Sequence, residues 1–294
     1  MLKYFVVFLS FFAVLSSCSI ENVAEQEQQK DEVDIQNYIS QAKLSNMLKT
    51  TEGMYYSIKP SGATKVAAVS DLVKLSYKLY LLDGTLVDST NAPGKQYKHL
   101  VYGVSQSIFT PIVKLMKEGD KGTFLLPSSL AYGGSSFANV PAYSVIRAEV
   151  EVVSVRNQAE QILDMKNTYL FENPETTSSG LVFQKTFDSP TEVPVADGKT
   201  ITVKYVGRMG YKYMQVDGTS NTLIYDSKFG EGQFSLVVGA GQVIPGFEEA
   251  VKKLKRYEKA KVILPYNIAY GTNGNSSIPG YSPLYFEIEV VFIQ

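Results

Sequence analysis

Few side chains in this sequence could act as nucleophiles, acid–base groups or soft metal ligands. The 294 residues include one histidine, His99, and one cysteine, Cys18. A single histidine is far more often structural or exposed than catalytic, so His99 is assigned no role. No spacing of His, Cys, Asp and Glu resembles a metal-ligand set, and we expect neither a metal nor a cofactor. The chain is instead rich in aromatic residues, with 20 Tyr and 15 Phe, which favours β-rich structure.

The clearest local pattern is the stretch 241–254, in which a Gly/Pro-rich entry leads into a short amphipathic helix. Glutamates at the start of this helix and lysines at its end counter the helix macrodipole. A strand-like run, an Ala-Tyr-Gly motif, an Ile-Pro pair and an alternating strand follow in that order. The residues that share one helical face, at i, i+3, i+4 and i+7, are Phe247, Ala250, Val251 and Leu254.

This order of parts occurs twice. The ranges 109–132 and 247–270 each begin with Phe and end, 23 residues later, with the Tyr of an Ala-Tyr-Gly motif. In each copy a proline follows nine residues further on, at Pro141 and Pro279. A repeat of this length indicates tandem domains.

The two copies differ in length at one place. The offset between them is 138 residues over these motifs but 128 at the earlier pair Tyr77 and Tyr205. The second copy therefore carries about ten additional residues, most simply in a hairpin at 209–222.

Each copy contains a helix and a strand, several further strands, one short helix and a closing strand. This pattern predicts an α+β fold in which a mainly antiparallel sheet wraps over the short helix. The predicted organisation is a signal peptide at 1–17, a lipidated cysteine and flexible tether at 18–34, a first domain at 35–156 and a second at 157–294.

Six stretches of the second copy, taken in order, resemble the FKBP-type peptidyl-prolyl cis-trans isomerase domain. The resemblance covers roughly 198–294, and six motifs at family-like spacing make coincidence improbable. The stretches are 203–207 (VKYVG), 225–227 (YDS), 234–239 (FSLVVG), 243–248 (VIPGFE), 269–271 (AYG) and 278–279 (IP).

The chemistry that this resemblance implies requires no reactive group. Amide resonance gives rotation about an X–Pro bond a barrier of about 18–20 kcal/mol. Twisting the bond removes conjugation and leaves a less polar carbonyl. An apolar, water-poor pocket that fits the twisted form better than either planar form therefore lowers the barrier.

The resemblance also implies the residues of such a pocket in the second domain. Phe247, where the family more often has Trp, is expected to form the floor beneath the proline ring. The Ile244 N–H and the Tyr270 hydroxyl are expected to donate to substrate carbonyls. Asp226 is expected to polarise the carbonyl of the rotating bond or to anchor nearby tyrosines. The other implied lining residues are Tyr205, Tyr225, Phe234, Val243, Ile278 and Phe286. Each of these aromatics, taken alone, could equally be a core residue.

The first copy departs further from the family pattern. Val87 replaces the aromatic residue before the Asp, Ser105-Gln106 stands near the Val-Ile pair, and Ala148 replaces Phe286. A pocket without these apolar walls is shallower and wetter, so we expect the first domain to keep the fold but to be a poor isomerase or none. In the second copy, Tyr257 stands where the family usually has a turn glycine.

The N-terminal segment resembles a bacterial lipoprotein signal. Lys3 precedes an apolar run, 4–15, that is too short to span a bilayer. The run ends in Leu-Ser-Ser before Cys18, as in a lipobox, where the cysteine is acylated after cleavage; an ordinary signal peptide with an incidental cysteine is the alternative. We expect a lipid anchor at Cys18 and a location outside the cytoplasm, on the periplasmic or the surface face of the membrane.

These patterns predict a membrane-anchored isomerase that acts on proline-containing clients among exported proteins, with activity in the second domain. One alternative is a chaperone or assembly factor that binds such chains without turnover, and another is a structural lipoprotein that recognises a partner. The net charge of −1 and a pI near 6.0 give no reason to expect nucleic acid. The oligomeric state is not defined by the sequence.

Overall fold

A computed structural model of the chain contains two antiparallel sheets, one from each half of the sequence. The structure describes residues 23–90, 97–104, 106–191, 193–216 and 223–294, without the side chains of 213–216 and 223–225. Cys18 and the lipobox therefore lie outside the described residues. Within the described residues no helix has the length and hydropathy needed to cross a membrane.

The sheet of the first domain has seven strands in the order β1-β2-β6-β7-β3-β4, with β5 also paired to β3. Side chains alternate across its strands, so that Leu75, Tyr77 and Leu79 of β3 all point into one core. The elements of this half are α1 Val23–Gln41, β1 Leu48–Lys49, β2 Tyr55–Lys59, β3 Leu72–Tyr80, β4 Leu86–Ser89, β5 Lys98–Val101, α2 Thr110–Val113, β6 Lys121–Leu126 and β7 Ile146–Arg156.

The sheet of the second domain has six strands in the order β11-β10-β13-β12-β9-β8, all antiparallel. Its inner face packs on the short helix α4. The elements of this half are α3 Gln158–Thr168, β8 Glu175–Thr176, β9 Val182–Phe187, β10 Thr200–Val216, β11 Leu223–Val237, α4 Pro245–Lys252, β12 Lys259–Leu264 and β13 Leu284–Ile293.

Three residues of the face predicted at 247–254 lie on the buried side of α4, and Leu254 follows the helix in a turn closed by the hydrogen bond from its N–H to the Val251 carbonyl. The four apolar residues of this face are at most 3% exposed, and Pro245 occupies the first helical position, where its missing N–H has no cost. The counterpart in the first domain, α2, is only four residues long. After Val113 the chain continues in a tighter turn, in which the Leu115 and Met116 N–H groups donate to carbonyls three residues earlier. The Met116 side chain is still buried.

The turn after α4 contains the tyrosine that replaces the family's glycine. Tyr257 has a φ of 70°, in the left-handed region that glycine occupies without steric cost. Its ring lies 4.7 Å below the guanidinium of Arg256 and is 45% exposed. The substitution affects this turn and not the inner face of the sheet.

The predicted flexible tether differs from the structure. Residues from Val23 onward form α1, because Gln, Glu and Lys are good helix formers and because one side of the helix packs on the first domain. Ile35 is fully buried in a small cluster with Tyr55, Leu125 and Val145 on the outer face of the first sheet.

Both domains use a helix side chain in the same way. Asp31 of α1 accepts hydrogen bonds from Ser128 N and Oγ, both at 2.7 Å, where a short 3₁₀ helix begins. Gln158 of α3 accepts from Tyr266 N at 3.1 Å, at the start of the equivalent 3₁₀ helix. These contacts fix each preceding helix against its domain.

The described part of the insertion predicted at 209–222 extends β10 to Val216, and β11 begins at Leu223; residues 217–222 lie outside the described residues. The first residues of the insertion reach the other domain, where Tyr211 stacks on His99 of β5 with ring centroids 4.7 Å apart. Tyr169, just after α3, donates to the Met209 carbonyl at 3.4 Å. The insertion therefore forms part of the contact between the two domains.

Candidate functional site

A cavity of about 550 Å³ lies on the inner face of the second sheet, beside the start of α4. The structure brings together eight residues that the resemblance implied for the pocket, since all of them line this cavity. They are Tyr205, Phe234, Val243, Ile244, Phe247, Tyr270, Ile278 and Phe286.

Aromatic rings in mixed orientations form the wall of this cavity. Phe247 of α4 packs against Phe286 with centroids 5.3 Å apart and planes at 81°, and against Phe234 at 5.9 Å. Tyr205 meets Phe234 edge-on at 5.5 Å. Such edge-to-face contacts fix ring positions, and Phe247 is only 3% exposed, so the cavity has a rigid apolar floor.

Both donors that the resemblance implied, the Ile244 N–H and the Tyr270 hydroxyl, have no acceptor within the described part of the protein. Ile244 precedes α4 with φ −60° and ψ 145°, and its carbonyl accepts from Phe247 N and Glu248 N. Its own N–H donates to none of the described residues. The Tyr270 hydroxyl is likewise unpaired among them, and this residue is 36% exposed. Both donors are available to carbonyl groups of a bound peptide.

The structure does not bring Asp226 to the cavity. Asp226 Oδ1 accepts from Ser227 N at 2.7 Å and lies 3.4 Å from Arg208 Nη1. Arg208 follows Val206 and Lys204 on the outer face of β10, so Asp226 faces away from α4. Tyr225 lies in β11 opposite Met214, and its side chain is outside the described residues.

The strand register shows which residues occupy the place expected for Tyr225 and Asp226. In the first domain Leu79 pairs with Asp88 and Tyr80 with Leu86, which leaves Val87 as a bulge. At the equivalent point of the second domain, Gly207 pairs with Gly230 and Arg208 with Lys228, which leaves Phe229 as the bulge residue. These pairs correspond one to one in the two registers, so Phe229 is the counterpart of Val87 and Gly230 that of Asp88.

Phe229 is a lining residue that reasoning from the sequence missed. Its ring contacts Phe286 edge-on, with centroids 5.6 Å apart. Gly207 makes room for both rings, since a β-carbon there would lie 2.7 Å from Phe229 and 2.9 Å from Phe286. Gly207 lies in the middle of a strand opposite Gly230. Glycine at such a position indicates a bulge or the close approach of another group, so it could have pointed to Phe229.

The first domain fills the same space with aliphatic side chains. Leu79, fully in the core, stands where the second domain has Gly207, and register places Ala148 where it has Phe286. This exchange keeps core volume but removes aromatic wall. Of the pair Ser105-Gln106, Ser105 lies outside the described residues.

The first domain retains a polar pair that the second domain lacks. Tyr77 Oη donates to Asp88 Oδ2 at 2.5 Å, and the ring packs on Phe109 at 4.5 Å. Burial, and then the hydrogen bond to Asp88, raise the pKa of Tyr77 far above its usual value. Burial and the Asp88 charge also raise the pKa of Tyr132.

A larger groove, of about 860 Å³, lies on the outer face of the second sheet. Its lining includes acids and bases, among them Lys204, Glu231, Lys261 and Glu287, and Lys259 pairs with Glu289 at 3.3 Å. The groove also has apolar lining residues, among them Leu170, Val206 and Ile288, but of the eight residues implied for the pocket only Tyr205 lines it, whereas all eight line the inner cavity. Among the described residues no group of three His, Cys, Asp or Glu side chains is arranged to hold a metal ion.

This fold and cavity define the class of the protein. The family model for FKBP-type peptidyl-prolyl cis-trans isomerases matches residues 63–153 and 191–291, and the chain belongs to that family. It contains two tandem FKBP-like domains with antiparallel sheets.

Several curated proteins are similar to the chain over about half to four fifths of its length. Peptidyl-prolyl cis-trans isomerase FKBP9 of Homo sapiens is 27% identical over 241 residues, which cover 79% of this chain and 36% of that protein. FkpA of Aeromonas hydrophila, an FKBP-type isomerase, is 30% identical over 147 residues, 49% of this chain and 53% of FkpA. The chain therefore spans about a third of the length of its FKBP9 relatives.

Among solved structures, the three FKBP domains of wheat FKBP73 match 85% of this chain and 99% of theirs. The sequence identity is 20%, and the TM-score of 0.36 is too low to compare domain arrangements.

Proposed function

We propose that the second domain catalyses cis-trans isomerisation of X–Pro bonds in polypeptide clients. The observation that carries this proposal is the aromatic cavity with two unpaired donors, Ile244 N–H and Tyr270 Oη, in its lining. The aromatic floor at Phe247 accommodates a proline ring and excludes water. The donors hold the peptide chain while the bond twists.

The test is an NMR exchange assay on an Ala-Phe-Pro peptide with the full chain. Ile244→Pro removes the backbone N–H and replaces the isoleucine side chain. It should not disturb the backbone, because the φ of −60° at this position is one that proline adopts. We expect kcat/KM to fall about tenfold or more, equivalent to about 1.4 kcal/mol of transition-state stabilisation. Ile244→Val keeps the N–H and is the matched control, expected to stay within about threefold of wild type.

A wild-type exchange rate equal to that in buffer alone would contradict the proposed isomerase function. Equal rates for Ile244→Pro and Ile244→Val would show that the N–H contributes nothing.

The location of the protein forms part of the same proposal. The lipobox-like Leu-Ser-Ser-Cys at 15–18 supports a lipid anchor at Cys18, outside the cytoplasm, with clients among exported proteins. Metabolic labelling with a radioactive fatty acid tests the anchor. Label that persists in Cys18→Ala would contradict it.

A binding role for the first domain is the second candidate. Phe137 is 61% exposed, and its ring stacks on Tyr132 with centroids 5.5 Å apart and planes at 8°. An exposed phenylalanine ring that lies on a half-buried tyrosine favours contact with apolar chains. Phe137→Ser is expected to weaken binding of an unfolded client several-fold without changing the rate on the short peptide. A loss of peptide turnover in Phe137→Ser would instead make the first domain catalytic.

A further inference from the structure

Tyr77 of the first domain and Tyr205 of the second occupy equivalent positions, but their hydroxyl groups have different surroundings. In the first domain, the Tyr77 hydroxyl is committed to Asp88 at 2.5 Å. In the second domain the register places Gly230 where the first has Asp88. A β-carbon added to Gly230 would lie 3.2 Å from Tyr205 Oη. Gly230 therefore lacks the carboxylate that, in the first domain, accepts the hydrogen bond of the equivalent tyrosine.

No other described residue replaces that acceptor. Tyr205 Oη donates to none of the residues that the structure describes. Asp226 is occupied by Arg208 and Ser227 on the far side of the sheet.

The ring of Tyr205 is nevertheless held firmly. Phe234 meets it at 5.5 Å, Phe247 at 6.3 Å with perpendicular planes, and Phe286 at 6.3 Å. Tyr205 is a lining residue of the cavity. A fixed ring with a free hydroxyl is a preorganised donor, because little side-chain entropy remains to be lost when a ligand binds.

We propose that the Tyr205 hydroxyl is a third substrate-binding donor, which hydrogen-bonds a peptide carbonyl next to the rotating X–Pro bond. The proposal rests on the isomerase function proposed for the second domain. The carbonyl of the rotating bond becomes less polar as it twists, so a donor to it weakens in the transition state. A donor to a neighbouring carbonyl binds the planar and twisted forms equally. It therefore acts on KM and not on kcat.

The first experiment compares Tyr205→Phe with Tyr77→Phe in the full chain, using NMR exchange over a range of Ala-Phe-Pro peptide concentrations. Tyr205→Phe is expected to raise KM about 5- to 10-fold, with kcat within about twofold and an unchanged melting temperature. Tyr77→Phe removes the equivalent hydroxyl from the first domain and is expected to change neither constant.

A second pair of variants supplies the missing acceptor. Gly230→Asp is expected to capture the Tyr205 hydroxyl and to raise KM as much as Tyr205→Phe does. Gly230→Ala adds the β-carbon alone and controls for bulk. Adding Tyr205→Phe to Gly230→Asp is expected to cause no further loss, since both changes remove the same donor.

The outcomes separate this proposal from the proposed function. If Tyr205→Phe matches wild type while Ile244→Pro is impaired, the donor role is wrong and the isomerase function stands. If Tyr205→Phe lowers kcat together with the melting temperature, or if Asp226→Asn raises KM in its place, the donor role is also wrong. A wild-type rate equal to buffer overturns both.

Discussion

At the scale of single residues, the cavity combines apolar rings with neutral donors, and no charged residue is among the described residues that line it. A carboxylate in this position would have to be desolvated whenever a proline ring displaced water. Asp226 of β11 is instead paired with Arg208 on the outer face of the second sheet. The site can therefore be dry, which is the condition that favours a twisted, less polar amide.

The Tyr270 hydroxyl gives a prediction at this scale. It is unpaired among the described residues, so Tyr270→Phe should leave stability unchanged while removing about 1 kcal/mol of peptide binding, or about fivefold in kcat/KM. Tyr132→Phe is the matched change in the first domain and should leave the peptide rate unaltered. If both variants lose activity equally, the two domains share the catalysis. Peptide exchange rates and thermal melts provide the measurement.

At the scale of elements, the helix that precedes each domain is tied to a 3₁₀ turn by one side chain. The turn lies immediately before the Ala-Tyr-Gly motif, so each helix supports the loop that carries the tyrosine. Asp31, 1% exposed, serves the first domain and Gln158 the second. Asp31 accepts both hydrogen bonds through Oδ2, while its buried Oδ1 has no hydrogen-bond partner among the described residues.

Removing this link should loosen the first domain selectively. Asp31→Ala is expected to destabilise it by about 1.5–3 kcal/mol, since two donors of Ser128 lose their acceptor. Hydrogen exchange of the β2 and β6 amides measures this loss within one domain. Asn37→Ala, on the exposed side of α1, should remain within about 0.5 kcal/mol of wild type. Unchanged exchange in Asp31→Ala would show that α1 does not support the domain.

At the scale of the whole molecule, the inserted hairpin of the second domain contacts β5 of the first. The contact includes the stack of Tyr211 on His99. Burial lowers the pKa of His99 to about 4, helped by the charges of Lys74 and Lys98, while its hydrogen bond to the Lys212 backbone acts in the opposite direction. The remaining titratable groups around this contact are Tyr97, Tyr169, Tyr211 and the side chain of Lys212.

This contact should make stability depend on pH. Between about pH 6.5 and pH 4 the unfolded chain binds a proton at His99 that the folded chain does not. The free energy of unfolding therefore rises with pH across this window and falls on acidification, by about 1–3 kcal/mol from this residue. His99→Phe retains a stacking ring without titration, so its melting temperature should fall less than that of wild type from pH 7 to pH 4. Parallel curves for the two proteins would exclude His99 as the cause.

Much of the fold followed from local sequence features. The apolar period of 247–254 predicted the buried face of α4, and repeated spacing predicted two domains with equivalent helices. The order of six motifs indicated the family, and eight of the residues implied for the pocket line one cavity. These properties can be predicted from the sequence because helix periodicity and motif order depend on residues that are close together along the chain.

Only the tertiary structure decided which face each hairpin residue occupies. Asp88 and Asp226 stand at equal distances, 21 residues, before Phe109 and Phe247, yet one faces the core and the other Arg208. Side chains in a strand alternate with period two, so the register and a bulge determine which side chains enter the pocket. The sequence alone determined the family and the aromatic floor. The pairing of β10 with β11 places Gly230, and not Asp226, beside Tyr205 and makes Phe229 the bulge residue, because strand register depends on contacts between strands and not on order along the chain.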